Sequence, residues 1–269
     1  MPKYLLVDIS NSFTKAAISD GHRLGRVRRV PTRELSRDSF DLDEVDGLVV
    51  CSVVPRKTAV FRRLKRLPVV EISAAIDLGI SIDYPQPGRI GADRLANAVA
   101  CAALHGCPAI VVDFGTAVTF DVLSAGGCYI GGIIAPGLGA MTDYLHEKTA
   151  LLPKVRLKEP RRMVGKSTEE AMRVGAVVGY RGLIEKLVRE VSREAFGRRK
   201  AVVIATGGDA RLIAKGLPLF SAVDPELTLR GLQLIARRHF GPAATGVPAE
   251  SRRGPDRKRQ NRGKPSTQT

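Results

Sequence analysis

Tryptophan is absent from this sequence of 269 residues, and aromatic residues of all kinds make up only 5% of it. Surfaces that bind nucleic acids by base stacking depend on such side chains, so a stacking surface is not expected. The four cysteines, at positions 51, 101, 107 and 128, show no CxxC spacing and lie in apolar segments. We expect buried free thiols rather than disulfides or metal ligands, which favours a cytoplasmic protein.

Long apolar runs are also missing. No segment approaches the roughly 20 apolar residues that a membrane-spanning helix needs, so no membrane association is expected. The apolar run near the N-terminus is short and is interrupted by Asp8, which argues against a secretory signal peptide. The four histidines, at positions 22, 105, 146 and 239, lack metal-ligand spacing.

Positive charge is abundant but uneven. The net charge is +16, and residues 251–269 hold seven Lys or Arg against one Asp, with no Val, Ile, Leu or Phe. Such a segment cannot bury a core, so residues 243–269 are predicted to form a basic disordered tail. Solubility is its simplest role, and an arm that touches RNA, DNA or an acidic membrane is the alternative. Nucleic-acid binding is therefore unexpected except through this tail.

Apolar periodicity predicts two halves in which strands alternate with helices. In the first half we expect strands at residues 3–8, 12–19, 22–30, 47–54 and 68–72, a helix at 57–66, and a second helix that opens in the loop 83–94. In the second half we expect strands at 110–113, 118–123 and 129–135, a strand in the segment 201–210 that ends in a Gly-Gly turn, and helices at 168–196 and 227–240. The predicted domains are residues 1–109 and 110–242.

The two halves open in the same way. LLVDISNSFTKAAI occupies residues 5–18, and IVVDFGTAVTFDVL occupies residues 110–123. Each passes from an apolar strand through an Asp into a turn of small, hydroxyl-bearing residues. Exposed N–H groups and hydroxyls suit a phosphate oxygen, and the Asp suits a hard cation, so two such turns predict a nucleotide site. The candidates are Asp8, Ser10, Asn11, Ser12, Lys15, Asp113, Gly115, Thr116, Thr119 and Asp121.

The two turns, together with ATGGDA at 205–210, resemble the superfamily of acetate and sugar kinases, heat-shock ATPase domains and actin. Within it, five motifs in order look like type III pantothenate kinase: GADR at 91–94, DFGTAVTFD at 113–121, GGIIAPGLGAM at 131–141, GKSTEEAM at 165–172 and DPELTLRGLQLI at 224–235. The resemblance implies an α/β, duplicated ribonuclease H-like (actin-like ATPase) fold, with two mixed-sheet domains and an interdomain cleft. It also implies ATP-dependent phosphorylation of pantothenate, the first step of coenzyme A biosynthesis.

The resemblance assigns roles to residues of this sequence. Asp93 matches the general base, although an acid stabilised at a helix N-terminus is its simpler reading. Thr168 matches a residue that reaches the substrate from the neighbouring subunit of a homodimer, and it is also a plausible helix N-cap. Asp113 matches the ligand of a monovalent cation, K+ or NH4+, and Asp8 is the expected partner of Mg2+. Pantothenate contacts are implied for Tyr84, Gly91, Ala92, Asp93, Arg94 and Thr168, and ATP contacts for Asp8, Ser10, Asn11, Ser12, Lys15, Thr116, Gly207 and Gly208.

Two turn positions depart from the family pattern. The first turn usually reads Asp-x-Gly-Asn-Thr-x-x-Lys, whereas here Ser10 replaces the glycine and Ser12 the threonine. If the turn needs a positive φ at residue 10, the serine costs about 1 kcal/mol or more. Val118 also replaces a threonine that is common in the second turn. The alternatives are therefore a catalytically impaired relative that binds nucleotide or a metabolite as a regulator, and a kinase for another small hydroxy acid.

Overall fold

Two five-stranded sheets organise the computed structural model, which describes residues 2–62, 64 and 66–241. The first sheet contains β1 (Tyr4–Ile9), β2 (Phe13–Ser19), β3 (Arg28–Pro31), β4 (Gly47–Ser52) and β5 (Val69–Glu71). Its strand order is β3-β2-β1-β4-β5, with β1 antiparallel to β2 and parallel to β4. Helix α1 (Pro55–Arg62) follows β4 and helix α2 (Ala92–Leu104) follows β5.

The second sheet repeats this topology. Its strands are β6 (Ala109–Phe114), β7 (Ala117–Leu123), β8 (Tyr129–Pro136), β9 (Val202–Gly207) and β10 (Ala222–Val223), in the order β10-β9-β6-β7-β8. The central strand β6 is antiparallel to β7 and parallel to β9, as β1 is to β2 and β4. The remaining helices are α3 (Ala140–Lys148), α4 (Thr168–Phe196), α5 (Ala210–Ala214) and α6 (Leu227–Phe240). The predicted duplicated α/β fold is confirmed.

The inner faces of both sheets share one core with α2 and α6. Alternate residues of β1 and β6, such as Leu6 and Val111, belong to this core, because side chains alternate between the two faces of a strand. Helix α6 contributes Leu229, Leu232 and Ile235, which are buried at helical spacing. It contacts β1 and β4 of the first sheet, while α2 contacts strands of both sheets. The last helix of the second half thus completes the core of the first.

The outer faces are covered separately. Helix α4 packs Val177, Tyr180 and Ile184 on the outer face of the second sheet, against Phe114 and Phe120. A smaller cluster closes the outer face of the first sheet beneath α1. Complete burial of each large apolar side chain contributes about 1.5–3 kcal/mol, so these layers hold in place the sheets from which the two turns extend.

Several predicted boundaries are wrong. Strand β3 begins at Arg28 rather than at residue 22, because Asp20 accepts the N–H groups of His22 and Arg23 and turns the chain there. Strand β9 ends at Gly207, at the predicted Gly-Gly turn, and the short elements α5 and β10 were not predicted. The bounds of α4 and α6 are as predicted. The predicted tail, residues 243–269, lies outside the described residues.

The four cysteines are free, with Cys51 and Cys101 buried as expected and Cys107 and Cys128 partly buried. Across residues 2–62, 64 and 66–241, no helix is long and apolar enough to cross a membrane.

Candidate active site

The site forms where the central strands of the two sheets end. Asp8 near the end of β1 and Asp113 near the end of β6 both belong to the inner faces, because they follow the core residues Leu6 and Val111 at a spacing of two. Lys15 lies opposite Asp8 in the neighbouring strand, and Thr119 lies opposite Asp113. Equivalent positions of the repeat therefore present a carboxylate to the same space.

The first turn, between β1 and β2, is held by Thr32. The Thr32 hydroxyl donates a hydrogen bond to the carbonyl of Ser10 (2.7 Å), and its N–H donates to the carbonyl of Ser12 (3.1 Å). The Ser10 hydroxyl donates to Asp8 Oδ1 at 3.4 Å. Asn11 and Ser12 form the exposed tip. The serine that replaces the family glycine thus points at the first-turn carboxylate.

The second turn, between β6 and β7, is held by the segment after β8. Gly137 donates its N–H to the carbonyl of Thr116 (3.1 Å), and a Cβ on Gly137 would overlap the carbonyls of Gly115 and Thr116. The turn itself is closed by the Gly115 N–H, which donates to the carbonyl of Ala117 (3.1 Å). The glycine of the APG sequence is therefore needed for close packing against the second turn.

The two turns meet at their tips. The hydroxyls of Ser12 and Thr116 lie 3.3 Å apart, within hydrogen-bond distance. This contact shows that the two turns face each other. Ser10, Asn11 and Ser12 therefore lie on the side of this contact that belongs to the first sheet, and Thr116 lies on the side that belongs to the second.

Three carboxylates influence one another in this space. Burial raises the pKa of Asp8 to about 7, Lys15 lowers it, and the negative charges of Asp93 and Asp113 raise it further. Burial also raises the pKa of Asp113 and of Asp93. A buried cluster of like charges favours a bound cation, and the hard carboxylate oxygens suit Mg2+ or K+.

The donor set is too small to hold a metal ion unaided. Within the described part of the chain, no group of three or more His, Cys, Asp or Glu side chains is arranged so that it could hold a metal ion. Magnesium in phosphoryl-transfer sites is commonly bound through one or two carboxylates, with substrate phosphates and water completing the shell. The arrangement around Asp8 fits that mode of binding rather than an all-protein cage.

Asp113 is held from two sides. Asn97 donates its Nδ2 to Asp113 Oδ2 at 2.9 Å. On the other side, a Cβ on Gly207 would lie 2.5 Å from Asp113 Oδ1 and 2.6 Å from the backbone N and O of Phe114. Gly207 has φ +92, so both its conformation and its surroundings require glycine. A Cβ on the next residue, Gly208, would lie 4.0 Å from the Phe114 carbonyl oxygen, which is an ordinary contact distance.

The GADR motif forms the start of α2. Gly91 is the N-cap residue, and Ala92 begins the helix and is buried. Asp93 Oδ1 accepts the N–H of Arg94 at 2.8 Å, as an acid in the first turn of a helix commonly does. Asp93 therefore stabilises the first turn of α2. It also lies near Asp8 and Asp113, and its negative charge raises the pKa of both.

Arg94 turns back to the second sheet. Its Nε donates to Asp121 Oδ1 at 2.6 Å, and its Nη2 donates to the carbonyl of Phe120 at 3.3 Å. Tyr129 donates its hydroxyl to the same Asp121 oxygen (3.3 Å), and its ring meets the ring of Tyr84 edge-on. Asp121 is fully buried, and burial raises its pKa to about 7 although Arg94 lowers it. Asp121 was expected at the phosphate turn, whereas the structure pairs it with Arg94 instead.

Thr168 lies apart from these residues along the chain. It is exposed and is the first residue of α4. Its predicted role as N-cap is wrong, because Ser167 occupies that position and accepts the N–H of Glu170 at 3.2 Å. Among the described residues, no side-chain hydrogen bond or ion pair joins Thr168 to the other candidates.

Sequence reasoning did not identify Asn97, Thr32 or Tyr129. The available sequence signal for Asn97 was a polar amide in an otherwise apolar stretch of α2, four residues after Asp93. The structure shows that this amide is fully buried. Thr32 and Tyr129 contact the site through loop and strand packing, which local patterns do not reveal.

The two repeated sheets have the duplicated ribonuclease H-like fold that is also found in actin-like ATPases. Among solved structures, MreB 5 of Spiroplasma citri bound to AMPPNP aligns with a TM-score of 0.52 at 10% identity, over 92% of this chain and 99% of the other. A conserved Baf family protein from Campylobacter jejuni aligns with a TM-score of 0.61 at 20% identity, over 87% and 98%. These similarities concern the fold alone.

The sequence comparisons identify the family. The family described as type III pantothenate kinase matches residues 4–190. A type III pantothenate kinase of Akkermansia muciniphila is 51% identical over 240 residues, covering 87% of this chain and 98% of the relative. One from Methylacidiphilum infernorum is 46% identical over 235 residues, covering 86% and 87%. This chain belongs to the type III pantothenate kinase family.

Proposed function

We propose that this chain transfers the terminal phosphoryl group of ATP to the primary hydroxyl of pantothenate, giving 4'-phosphopantothenate, the first step of coenzyme A biosynthesis. The observation that carries this proposal is the meeting of the two hydroxyl-bearing turns at Ser12 and Thr116, beside the three carboxylates Asp8, Asp93 and Asp113. Phosphoryl transfer depends on positioning and on charge neutralisation, and this arrangement offers groups for both.

Asp93 acts as the general base. Its carboxylate accepts the proton of the pantothenate hydroxyl while the hydroxyl oxygen bonds to the γ-phosphorus and ADP leaves. Burial raises the pKa of Asp93, which makes the carboxylate a better base than an exposed one. Only the ionised carboxylate can accept the proton, so turnover rises with pH as Asp93 ionises.

The ATP phosphates lie between the two turns. Backbone and hydroxyl groups of Ser10, Asn11, Ser12 and Thr116 contact them, and Lys15 neutralises part of their charge. Gly207 and Gly208 allow the backbone after β9 to approach the adenosine. Asp8 holds Mg2+, which when bound neutralises the charge of the phosphate oxygens.

Asp113 holds the monovalent cation, K+ or NH4+. Support comes from its buried position, from the neighbouring negative charges, and from the raised pKa that these produce. A cation bound there offsets the repulsion between Asp113 and Asp93. Turnover is therefore expected to depend on the monovalent cation present.

Pantothenate binds at the start of α2. Gly91, Ala92 and Tyr84 line its position, and Arg94 provides positive charge for its carboxylate. Arg94 uses Nε and Nη2 within the protein, while Nη1 donates to no other side chain or carbonyl among the described residues. The ion pair with Asp121 fixes the orientation of the guanidinium group.

A homodimer completes the site through Thr168 of the neighbouring subunit. Five large apolar side chains between residues 134 and 164 are 63% to 89% exposed, namely Ile134, Tyr144, Leu151, Met163 and Val164. Apolar exposure on this scale is typical of a surface that is covered by a partner. These residues lie on the segment that leads to Thr168, which supports a subunit interface next to the active site.

The catalytically impaired alternative is less well supported. A relative that only binds its ligand needs no general base. In this chain, however, Asp93, Asp8 and Asp113 are all present and lie within electrostatic range of one another. A different small hydroxy acid as substrate would leave the same machinery in place. The product assay with pantothenate therefore distinguishes both alternatives from the proposal.

The test is formation of phosphopantothenate, detected by mass spectrometry, at millimolar ATP, Mg2+ and pantothenate with K+, NH4+ or Na+. We expect product that depends on K+ or NH4+, and a loss of about 10²- to 10⁴-fold in kcat for Asp93→Asn. Asp38→Asn, an exposed acid in the first turn of a short helix, is the matched control and should leave kcat unchanged. Undiminished turnover of Asp93→Asn would exclude Asp93 as the base. Absence of product from the folded wild type would exclude pantothenate as the substrate.

A further inference from the structure

A buried chain of hydrogen bonds joins α6 to Asp113. Thr228 on α6 donates its hydroxyl to Asn97 Oδ1 at 2.8 Å, and Asn97 on α2 donates its Nδ2 to Asp113 Oδ2 at 2.9 Å. Asn97 is fully buried and Thr228 is 8% exposed. Thr228 and Asn97 are 131 residues apart in sequence, so only the packing of α6 on α2 brings them together.

The hydrogen bonds from Thr228 to Asp113 have a defined direction. Because the Thr228 hydroxyl occupies the amide oxygen of Asn97, the amide nitrogen is left to face Asp113. The bond to Asp113 favours the ionised carboxylate and fixes Oδ2, so that Oδ1 remains on the side of Gly207. Asn97 also follows Asp93 by four residues, which places both side chains on one face of α2.

We propose that Asn97 and Thr228 are positioning residues that fix the Asp113 carboxylate relative to Asp93, with Thr228 acting through Asn97. The part that concerns the cation rests on the proposed role of Asp113. Without the Thr228 hydroxyl, the Asn97 amide can reverse and present its oxygen to the carboxylate. The partial negative charge of the Asn97 amide oxygen then repels the Asp113 carboxylate, and Asp113 loses its fixed orientation.

The test compares Thr228→Val, which has the same shape without the hydroxyl, with Thr228→Ser, which keeps it. We expect Thr228→Val to raise the K+ concentration for half-maximal activity at least about 5-fold, and Thr228→Ser to restore it close to the wild-type value. The rise in melting temperature from Na+ to K+ buffer gives a readout independent of activity, and it should shrink in Thr228→Val. Thr58→Val, at a buried threonine of α1 outside the site, is the control for the loss of a buried hydroxyl.

A double-variant cycle tests the order of action. If Thr228 acts only through Asn97, the variant with both Asn97→Ala and Thr228→Val has the same K+ requirement as Asn97→Ala alone. Equal K+ half-saturation and equal kcat in wild type, Thr228→Val and Thr228→Ser would overturn the positioning role, even if Thr228→Val melts earlier. Equal turnover of the wild type in K+ and Na+ would instead overturn the cation assignment, and the ratio of kcat between Thr228→Val and Thr228→Ser would then decide the positioning role.

A second observation concerns the row of residues across the first sheet. Asp8 pairs with Lys15 of β2, and Lys15 pairs with Arg29 of β3, so the three side chains share the inner face. Val27, two residues before Arg29, packs against the inner core, which agrees with that face. The guanidinium carbon of Arg29 lies 3.5 Å from the ring centroid of Phe13, the residue that follows Ser12 at the turn tip.

The stacking contact directs Arg29 along the sheet towards the first turn. A guanidinium group on an aromatic face keeps its N–H groups at the edge, where they can donate to phosphate oxygens. Arg29 and Lys15 then form a pair of cations on the same side of the turn. We infer that Arg29 is a contact for the phosphate chain of ATP, an inference that rests on the proposed placement of ATP between the turns.

Arg28 provides a matched control for this inference. It is the preceding residue, is also exposed, and its guanidinium carbon lies 5.9 Å from the ring centroid of Phe40 on the outer face. We expect Arg29→Gln to raise the KM for ATP at least about 5-fold with little change in the KM for pantothenate, and Arg28→Gln to change neither. Calorimetric titration with Mg2+ and a non-hydrolysable ATP analogue should show the same contrast.

Equal affinity of wild type, Arg28→Gln and Arg29→Gln for the analogue would overturn the role of Arg29. An equal loss in both variants would also overturn it, because it would indicate a general effect of net charge. Absence of analogue binding to the wild type would instead overturn the placement of ATP between the turns.

Discussion

The hydroxyl of Ser12 lies 3.3 Å from the hydroxyl of Thr116, although 104 residues separate them in the sequence. Each is at the tip of a turn that leaves the central strand of its own sheet. The contact converts two ordinary hairpin turns into one site with donors on both sides. Changes that alter either turn should therefore affect the binding of the same phosphate chain.

The buried carboxylate of Asp8 should make the enzyme less stable than it would be without it. The pKa of Asp8 rises from its ordinary value of 3.8 to about 7, so folding becomes less favourable as the pH rises from the lower value through the higher one. We expect Asp8→Asn to stabilise the protein without added Mg2+, by about 1–3 kcal/mol more at pH 8 than at pH 5. Urea unfolding at the two pH values measures this difference.

On the proposed role of Asp8, the same substitution should also abolish most of the kinase activity, because it removes the carboxylate charge from the Mg2+ site. Asp38→Asn, at an exposed site, should change the free energy of unfolding by less than about 0.5 kcal/mol at either pH. A stabilisation of Asp8→Asn that is identical at pH 5 and pH 8 would contradict the raised pKa of Asp8.

Gly132 leaves room for the guanidinium group of Arg94. A Cβ at this position would overlap both Arg94 Nη2 and the carbonyl of Phe120. We expect Gly132→Ala to displace Arg94 from Asp121 and to raise the KM for pantothenate roughly 10-fold or more, with less effect on the KM for ATP. Steady-state kinetics with each substrate varied in turn measures the two constants.

Gly179→Ala is the control for this variant, because Gly179 lies in α4 and its added methyl would meet nothing within 4 Å. A Gly132→Ala enzyme with wild-type kinetics for pantothenate would show that Arg94 does not need its present position.

Gly207 and Gly208 are neighbours in sequence, but they differ in whether a side chain can be accommodated. Gly207 has φ +92, and a Cβ there would crowd Asp113 and the backbone of Phe114, whereas Gly208 has ordinary spacing. Thermal unfolding should therefore show a large destabilisation for Gly207→Ala, of at least about 2 kcal/mol, and a small one for Gly208→Ala. Similar melting temperatures of the two variants would contradict the crowding at Gly207.

The apolar side chains between residues 134 and 164 should hold two subunits together. Tyr144 is 63% exposed on α3, and a charge at its position should weaken an apolar interface. We expect Tyr144→Asp to halve the mass measured by light scattering and to reduce turnover, since Thr168 of the neighbouring subunit would be lost. Leu104→Asp, at an exposed apolar position on α2, should keep the wild-type mass. An unchanged mass for Tyr144→Asp would exclude this segment as the interface.

Much of the fold was predictable from local patterns. The apolar face of α4 and that of α6 are long and periodic, and both helices begin and end where the pattern indicates. Strand β3 was predicted too long, because the side chain of Asp20 captures two N–H groups and delays the strand. Helix α5, with five residues, is too short to show a period.

The candidate site was predictable only in part. The Asp and hydroxyl residues of the two turns are visible because they interrupt apolar runs. The ion-pair partner of Arg94 was not predictable, because Asp121 is brought next to Arg94 only by the packing of α2 on β7. The same holds for Asn97 and Thr228, whose contact depends on two helices from opposite ends of the chain.

The position of α6 makes the first half of the molecule depend on the end of the chain. Although the two sheets have the same topology, a chain that stopped after residue 109 would leave the inner faces of β1 and β4 without the helix that covers them. The first half therefore lacks a complete core of its own, because the helix that covers its inner face comes from the end of the chain's second half.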